Sequence, residues 1–142
     1  MNTGLALRGA VHSLLAGDAT LADLAGAARI HDGAPRGAPF PHLVIGSIES
    51  RPLLAHPGEG EEHRLEIAVF SRAASRDEAG GILSRAVDLL AEGSGMAGAL
   101  AAASPGHDLV GVRLIDLRSE RLVPQRLWRA GARFRLVTEP LA

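Results

Sequence analysis

The sequence predicts an α+β fold: an antiparallel sheet of about four strands with two main helices on one face and a long loop between the first two strands. Three observations carry this. From Arg64 to Val69, apolar Leu65, Ile67 and Val69 alternate with Arg64, Glu66 and Ala68, the period of two that a strand with one buried and one wet face requires. Ala79, Ile82, Leu83, Ala86, Val87 and Leu90 recur at helical spacing, which gives one apolar helix face. Near the end of the chain, Phe134, Leu136 and Thr138 alternate with Arg133 and Arg135, a second strand with unlike faces.

The elements follow in order. Asn2 to Ala16 fits a helix with an apolar stripe at Leu7, Val11, Leu14 and Leu15, ended by Gly17-Asp18. Thr20 to Asp23 reads as a short capped helical turn bearing Leu21 and Leu24. Arg29 to Asp32 is a candidate short strand, and Gly33 to Pro41, with three Pro and two Gly, is loop. His42 to Glu49 is apolar and β-branched, with Pro39 and Pro41 holding its start extended. Ser50 to Glu62 carries two Pro, two Gly and three Glu, too long for a tight hairpin turn, so the two strands are joined by a projecting loop.

Ser75-Arg-Asp-Glu78 has the pattern of a capping box ahead of a helix from about Arg76 to Glu92. Gly80 and Gly81 in its first turns cost roughly 1 kcal/mol each relative to Ala; close approach of a neighbouring backbone is one account of them and chance is the other. Gly93-Ser-Gly95 stops the helix, and Met96 to Ala103 forms one or two further turns. Asp108 to Arg118 is a strand with Val110, Val112 and Leu114 on one face, where Ile115 and Leu117 suggest a face switch or bulge. Arg118 to Gln125 is turn-like, and Arg126 to Thr138 closes the chain as a strand.

Composition bounds the function. With 142 residues, the chain is expected to be one domain, 1–142, large enough to bury a core without staples. Only 3% of residues are aromatic, so aliphatic side chains fill that core. A net charge of −1 provides no global field toward nucleic acid or membrane. All 15 basic residues are Arg, which a GC-rich coding sequence explains, and the absence of Cys excludes disulfides and thiolate metal sites. Arg8, His12 and Asp18 interrupt the first apolar run, making a poor signal peptide. No run reaches the ~18 apolar residues of a membrane span, so the expected compartment of synthesis is the cytoplasm.

No catalytic, metal or cofactor site emerges. His31-Asp32 and His107-Asp108 are adjacent pairs whose side chains diverge on a strand. No Gly-x-Ser-x-Gly elbow is present, and Gly93-Ser-Gly95 sits at a helix C-terminus, the wrong end for phosphate. The expectation is a protein that is not an enzyme. Charge is segregated instead: Glu59, Glu61 and Glu62 cluster in the loop, while from Arg113 to Arg135 seven Arg stand against Asp116 and Glu120 alone. Such a basic surface could meet phosphate; ion pairs between subunits, from Arg126, Arg129, Arg133 and Arg135 to the acidic loop, are the preferred reading.

The order of segments carries a resemblance. Ile30-His-Asp32 is followed by Pro41-His-Leu-Val-Ile-Gly46, the strand Glu62-His-Arg-Leu-Glu-Ile-Ala-Val-Phe-Ser71, a helix from Glu78-Ala79, and Arg129-Ala-Gly-Ala-Arg-Phe-Arg-Leu-Val-Thr-Glu139. Across nearly the whole chain this resembles the tail-terminator, or tail-completion, proteins of long non-contractile-tailed phages. It is especially similar to the version carried by alphaproteobacterial gene transfer agents, phage-derived particles that carry DNA. The resemblance implies a subunit of a sixfold ring that caps the tail tube, ends its growth and receives the stopper or connector of the head, with DNA passing non-specifically through the channel. Its implied partners are itself, the tail tube protein and the stopper, with no membrane and no cofactor. Assembly would take place in the bacterial cytoplasm, before release in the particle. A neighbouring neck stopper, and a small module binding an anion through His and Arg, are the alternatives.

Overall fold

The computed structural model describes residues 3–26, 28–53 and 60–141. Its elements are α1 (Gly4–Ala16), α2 (Ala19–Ala25), β1 (Ile30–His31), β2 (His42–Pro52), β3 (Glu61–Ser71), α3 (Asp77–Glu92), α4 (Ser94–Ala103), β4 (His107–Leu122) and β5 (Leu127–Pro140). The sheet has five strands in the order β1-β2-β3-β5-β4, antiparallel except for the short parallel pair of β1 with β2. The expected mixed α+β architecture is therefore found. Its four expected strands become five because Ile30 and His31 align beside Leu43 and Val44.

The expectation of two main helices on the sheet is also corrected, since all four helices place side chains in one hydrophobic core. Leu7, Val11 and Leu15 of α1, Leu21 of α2, Ile82, Leu83 and Leu90 of α3, and Met96 and Leu100 of α4 meet Leu43, Ile45, Leu65, Ile67, Val69, Phe134 and Leu136 of the sheet. Val87 packs against this core partly buried. Met96 and Leu100 are the reason the Ala-rich stretch forms a whole helix: each is fully buried, and packing outweighs the weak signal of the sequence.

Local chemistry explains the shifted boundaries. Asp18 does not merely end α1. Its Oδ2 accepts from the Leu21 amide at 2.9 Å, capping α2, and both carboxylate oxygens take the Arg85 guanidinium of α3 at 3.0 and 2.7 Å. Arg85 thereby lowers the Asp18 pKa. The capping box at α3 does not form: Ser75 Oγ accepts from the Asp77 amide at 3.3 Å, but the Glu78 carboxylate accepts instead from Ser71 Oγ at 2.7 Å. A Cβ on Gly80 or Gly81 would meet nothing within 4 Å, so among the described residues no backbone of another element approaches the position either Cβ would take.

β2 continues past Glu49 because Ser50, Arg51 and Pro52 still pair with His63, Glu62 and Glu61. Residues 54–59 of the expected loop lie outside the described residues. β4 contains the face switch anticipated at Ile115, as its register against β5 shifts between Leu114 and Asp116. A second shift between Leu109 and Gly111 removes Val110 from the inward row and leaves it 56% exposed. These shifts let β4 run to Leu122, beyond the expected end at Arg118. The turn into β5 is tight, with the Arg126 amide donating to Val123 O at 3.2 Å and Arg126 at a φ of 55°.

Candidate interaction surface

Side chains directly opposite one another on neighbouring strands share a face of the sheet. On β3 the odd positions Leu65, Ile67 and Val69 are buried with the helices, so Glu62, Arg64 and Glu66 face the other way. They meet Arg135 and Arg133 of β5, and beyond these Asp116 of β4. The outer face of the sheet is thus a lattice of charges, and its pairs close within one chain.

Glu62 is the centre of that lattice. It is buried to 7% exposure, and its carboxylate accepts from Arg135 Nε at 2.9 Å, Arg64 Nε at 3.2 Å and Arg51 Nη2 at 3.0 Å. Burial by itself would raise its pKa, but the hydrogen bonds from Arg135, Arg64 and Arg51 outweigh it and hold the carboxyl at about 2. Next along β5, Arg133 Nε donates to Asp116 Oδ1 at 2.9 Å while its Nη2 contacts Asp116 Oδ2. This exposed pair raises the Arg133 pKa and lowers that of Asp116, each chiefly through their mutual hydrogen bond.

Arg129 lies flat across Gly131, its Nη1 2.8 Å from where a Cβ on that glycine would stand, and Nη2 donates to Glu66 Oε1 at 2.6 Å. Only a glycine at 131 lets the guanidinium take this path. With Glu120 and Arg118 of β4 the pairs line an open cleft of about 450 Å³.

The other face carries a different polar group at the same height. His63 is fully buried, with Nε2 2.8 Å from Thr138 Oγ1 and 3.2 Å from Thr3 Oγ1, and Nδ1 2.7 Å from Ser50 Oγ. Burial lowers its pKa and keeps the ring neutral, against the pull of Glu61 and Glu62. Glu61 closes the cluster, accepting from Thr3 N at 3.2 Å and from Thr3 Oγ1 at 2.9 Å.

The predicted site residues thus separate. Glu59 lies outside the described residues. Glu61 is engaged by Thr3, and Glu62 and Arg135 are joined to one another inside a single chain. Arg129 and Arg133 are held by Glu66 and Asp116, and Arg126 projects from the β4–β5 turn. The carboxylates that hold Arg129 and Arg133, namely Glu66 and Asp116, were missed as partners. The alternation Glu62-x-Arg64-x-Glu66 was the available signal, but it names a partner only once β3 is known to lie beside β5.

His31, His42 and His107 make local contacts. His31 and His42 stack edge to face at 5.8 Å beside Phe40 and Phe70, and His107 Nδ1 lies 2.9 Å from Ser104 Oγ. Among the described residues no group of three His, Asp or Glu side chains is placed to hold a metal ion, and no helix is long and apolar enough to cross a membrane.

Comparison with known proteins gives two findings. The profile of the family described as tail completion protein gp17 matches residues 9–139. A chain in a solved structure, "Virion of native gene transfer agent (GTA) particle", shares the fold with a TM-score of 0.73 at 23% identity, over 93% of this chain and 93% of that one. No curated protein matches.

Proposed function

The chain belongs to the tail completion protein gp17 family, and from this we propose that it forms a ring, of six copies, that caps the finished tail tube. The ring ends tube polymerisation and presents the surface that the stopper or connector of the head binds, while DNA passes through the channel without sequence readout. It acts as a structural part of a phage-like particle, assembled in the bacterial cytoplasm, and needs no cofactor or catalytic residue.

The family match over residues 9–139 is the observation that carries this reading. The sheet supports it physically. Both of its sides carry free edges, and a subunit with exposed edges must cover them or risk uncontrolled strand pairing. A heterologous contact that closes on itself covers both kinds of edge at once. The outer face weakens the alternative of an anion-binding module, because Arg129, Arg133 and Arg135 are each already held by a carboxylate. Arg126 and the exposed Arg133–Asp116 pair are the side chains we assign to contact with the tube; the buried Glu62 cluster and Glu61 serve the subunit itself.

A strain lacking this protein tests the role. Overlong or headless tails are expected in electron micrographs, and normal tails joined to filled heads would contradict it.

A further inference from the structure

We infer that subunits join edge to edge, the free edge of β4 in one copy continuing its sheet onto the free half of β2 in the next, with Arg113 set against Glu49 of the partner subunit. The inference rests on the ring reading and specifies its joint.

The two edges are defined by the pairing. Among the described residues β4 lies at the end of the sheet and pairs only with β5. On the other side, β1 pairs with β2 only at Leu43 and Val44, so among the described residues nothing pairs as a strand with residues 45–52 of β2 on that edge. Strand directions fit as well. β2, β3, β5 and β4 alternate antiparallel, so β4 and β2 run in opposite directions. A copy added head to tail therefore continues the alternation without a break.

The register supplies the charges. Glu49, Arg64, Arg135 and Arg113 form one row across the four strands on the outer face. Arg64 and Arg135 share Glu62. The two ends of the row, Glu49 and Arg113, are exposed and lack an ion-pair partner among the described residues. Arg113 also stands directly opposite Arg135, and like charges so placed repel. A carboxylate arriving on its open side relieves that repulsion, and the row offers one at its other end.

The neighbouring row has apolar ends. Ile48, Leu65, Phe134 and Leu114 face the helices in line, with the two central side chains buried and both ends half-buried. Placing Leu114 against Ile48 of the partner subunit continues the buried row across the joint. Beside Ile48 lies a groove of about 290 Å³ whose wall includes Leu5, 75% exposed, and β4 exposes Val110 and Leu117. The register shift of β2 between Ile45 and Ile48, and Pro52 with no N–H to donate, confine the joint to Ile48–Arg51 against Gly111–Leu114. The occupant is a second copy because each edge finds its complement in direction, charge and apolar row on the same chain.

The chain has no cysteine, so a Glu49→Cys/Arg113→Cys variant reports the joint alone. Within one copy these positions sit about 14 Å apart across three strand spacings, at ~4.8 Å each, too far for a disulfide. Oxidised in the presence of tail tube protein, the variant should give a non-reducing gel ladder that ends at the copy number of the ring. Either single cysteine variant should stop at dimers or monomers. Independently, Arg113→Glu should lower the assembled fraction about tenfold, and adding Glu49→Arg should restore most of it through the restored pairing of signs. No ladder, together with a harmless Arg113→Glu in an oligomer of unchanged mass, overturns this joint and leaves the ring. A wild-type chain that stays monomeric with tube protein overturns the ring reading and the joint with it.

Discussion

Glu62 and His63 are neighbours on β3, and they bury polar groups by opposite means. Glu62, on the outer face, stays charged because three guanidinium groups converge on it. His63, on the inner face, stays neutral among the hydroxyls of Thr3, Thr138 and Ser50. The outer face thus depends on ion pairs formed across strands, whereas the inner face depends on apolar packing with one neutral polar cluster at its end. Burying an ion is costly unless its partners replace water, so the weight of each charged pair follows its burial and not its short distance alone.

The largest effect is expected on the inner face. Ile67 is fully buried at the centre of the core, and Ile67→Ala should cost about 2–5 kcal/mol in urea unfolding, as buried aliphatic truncations do. A change within about half a kcal/mol would mean that this face does not hold the fold together. Next comes the outer centre. Arg135→Glu places a second carboxylate beside buried Glu62 and should cost about 2–3 kcal/mol, below the 3–5 of a fully buried pair, because Arg51 and Arg64 remain. The sequence reading of Arg135 as a contact between subunits implied a reversal that leaves the monomer intact; pairing within the chain changes that expectation.

Acid separates the two faces by pH window. On the inner face the buried His63 ring has a pKa below the ordinary 6.5, so its share of stability is complete above about pH 6.5 and is lost as pH falls below it. Glu62 is lowered from 4.5 to about 2, so its share is complete above about pH 4.5 and is lost as pH falls toward 2. The urea midpoint should therefore fall in two stages, and Glu62→Gln should flatten the lower one. A single stage unaffected by Glu62→Gln would contradict the difference between the faces. Smallest is Arg133→Ala. The exposed pair with Asp116 should leave the urea midpoint unmoved within error, and a loss as large as that of Arg135→Glu would erase the distinction drawn from burial.

How much of this was legible in the sequence differs by element. The faces of β3 and β5 were plain, because Leu65, Ile67 and Val69, and Phe134 and Leu136, alternate cleanly with charged or small residues. β4 was only half legible: Ile115 signalled the switch, but the shift at Val110 depends on how β4 aligns with β5. Asp18 looked like a helix stop because its partner Arg85 is 67 residues away. The Glu62–Arg135 pair, 73 residues apart, was hidden for the same reason: both charges were visible, but the strand register that joins them inside one chain was not. The row from Glu49 to Arg113 is likewise a product of register across four strands.

The most direct test of the account is the mass of the assembly in solution. Light scattering of the purified 14.7 kDa chain with its tail tube protein should show one closed species of six copies that grows no further as protein is added. A monomer under all conditions, or open-ended growth to a broad range of masses, would contradict a ring that ends the tail.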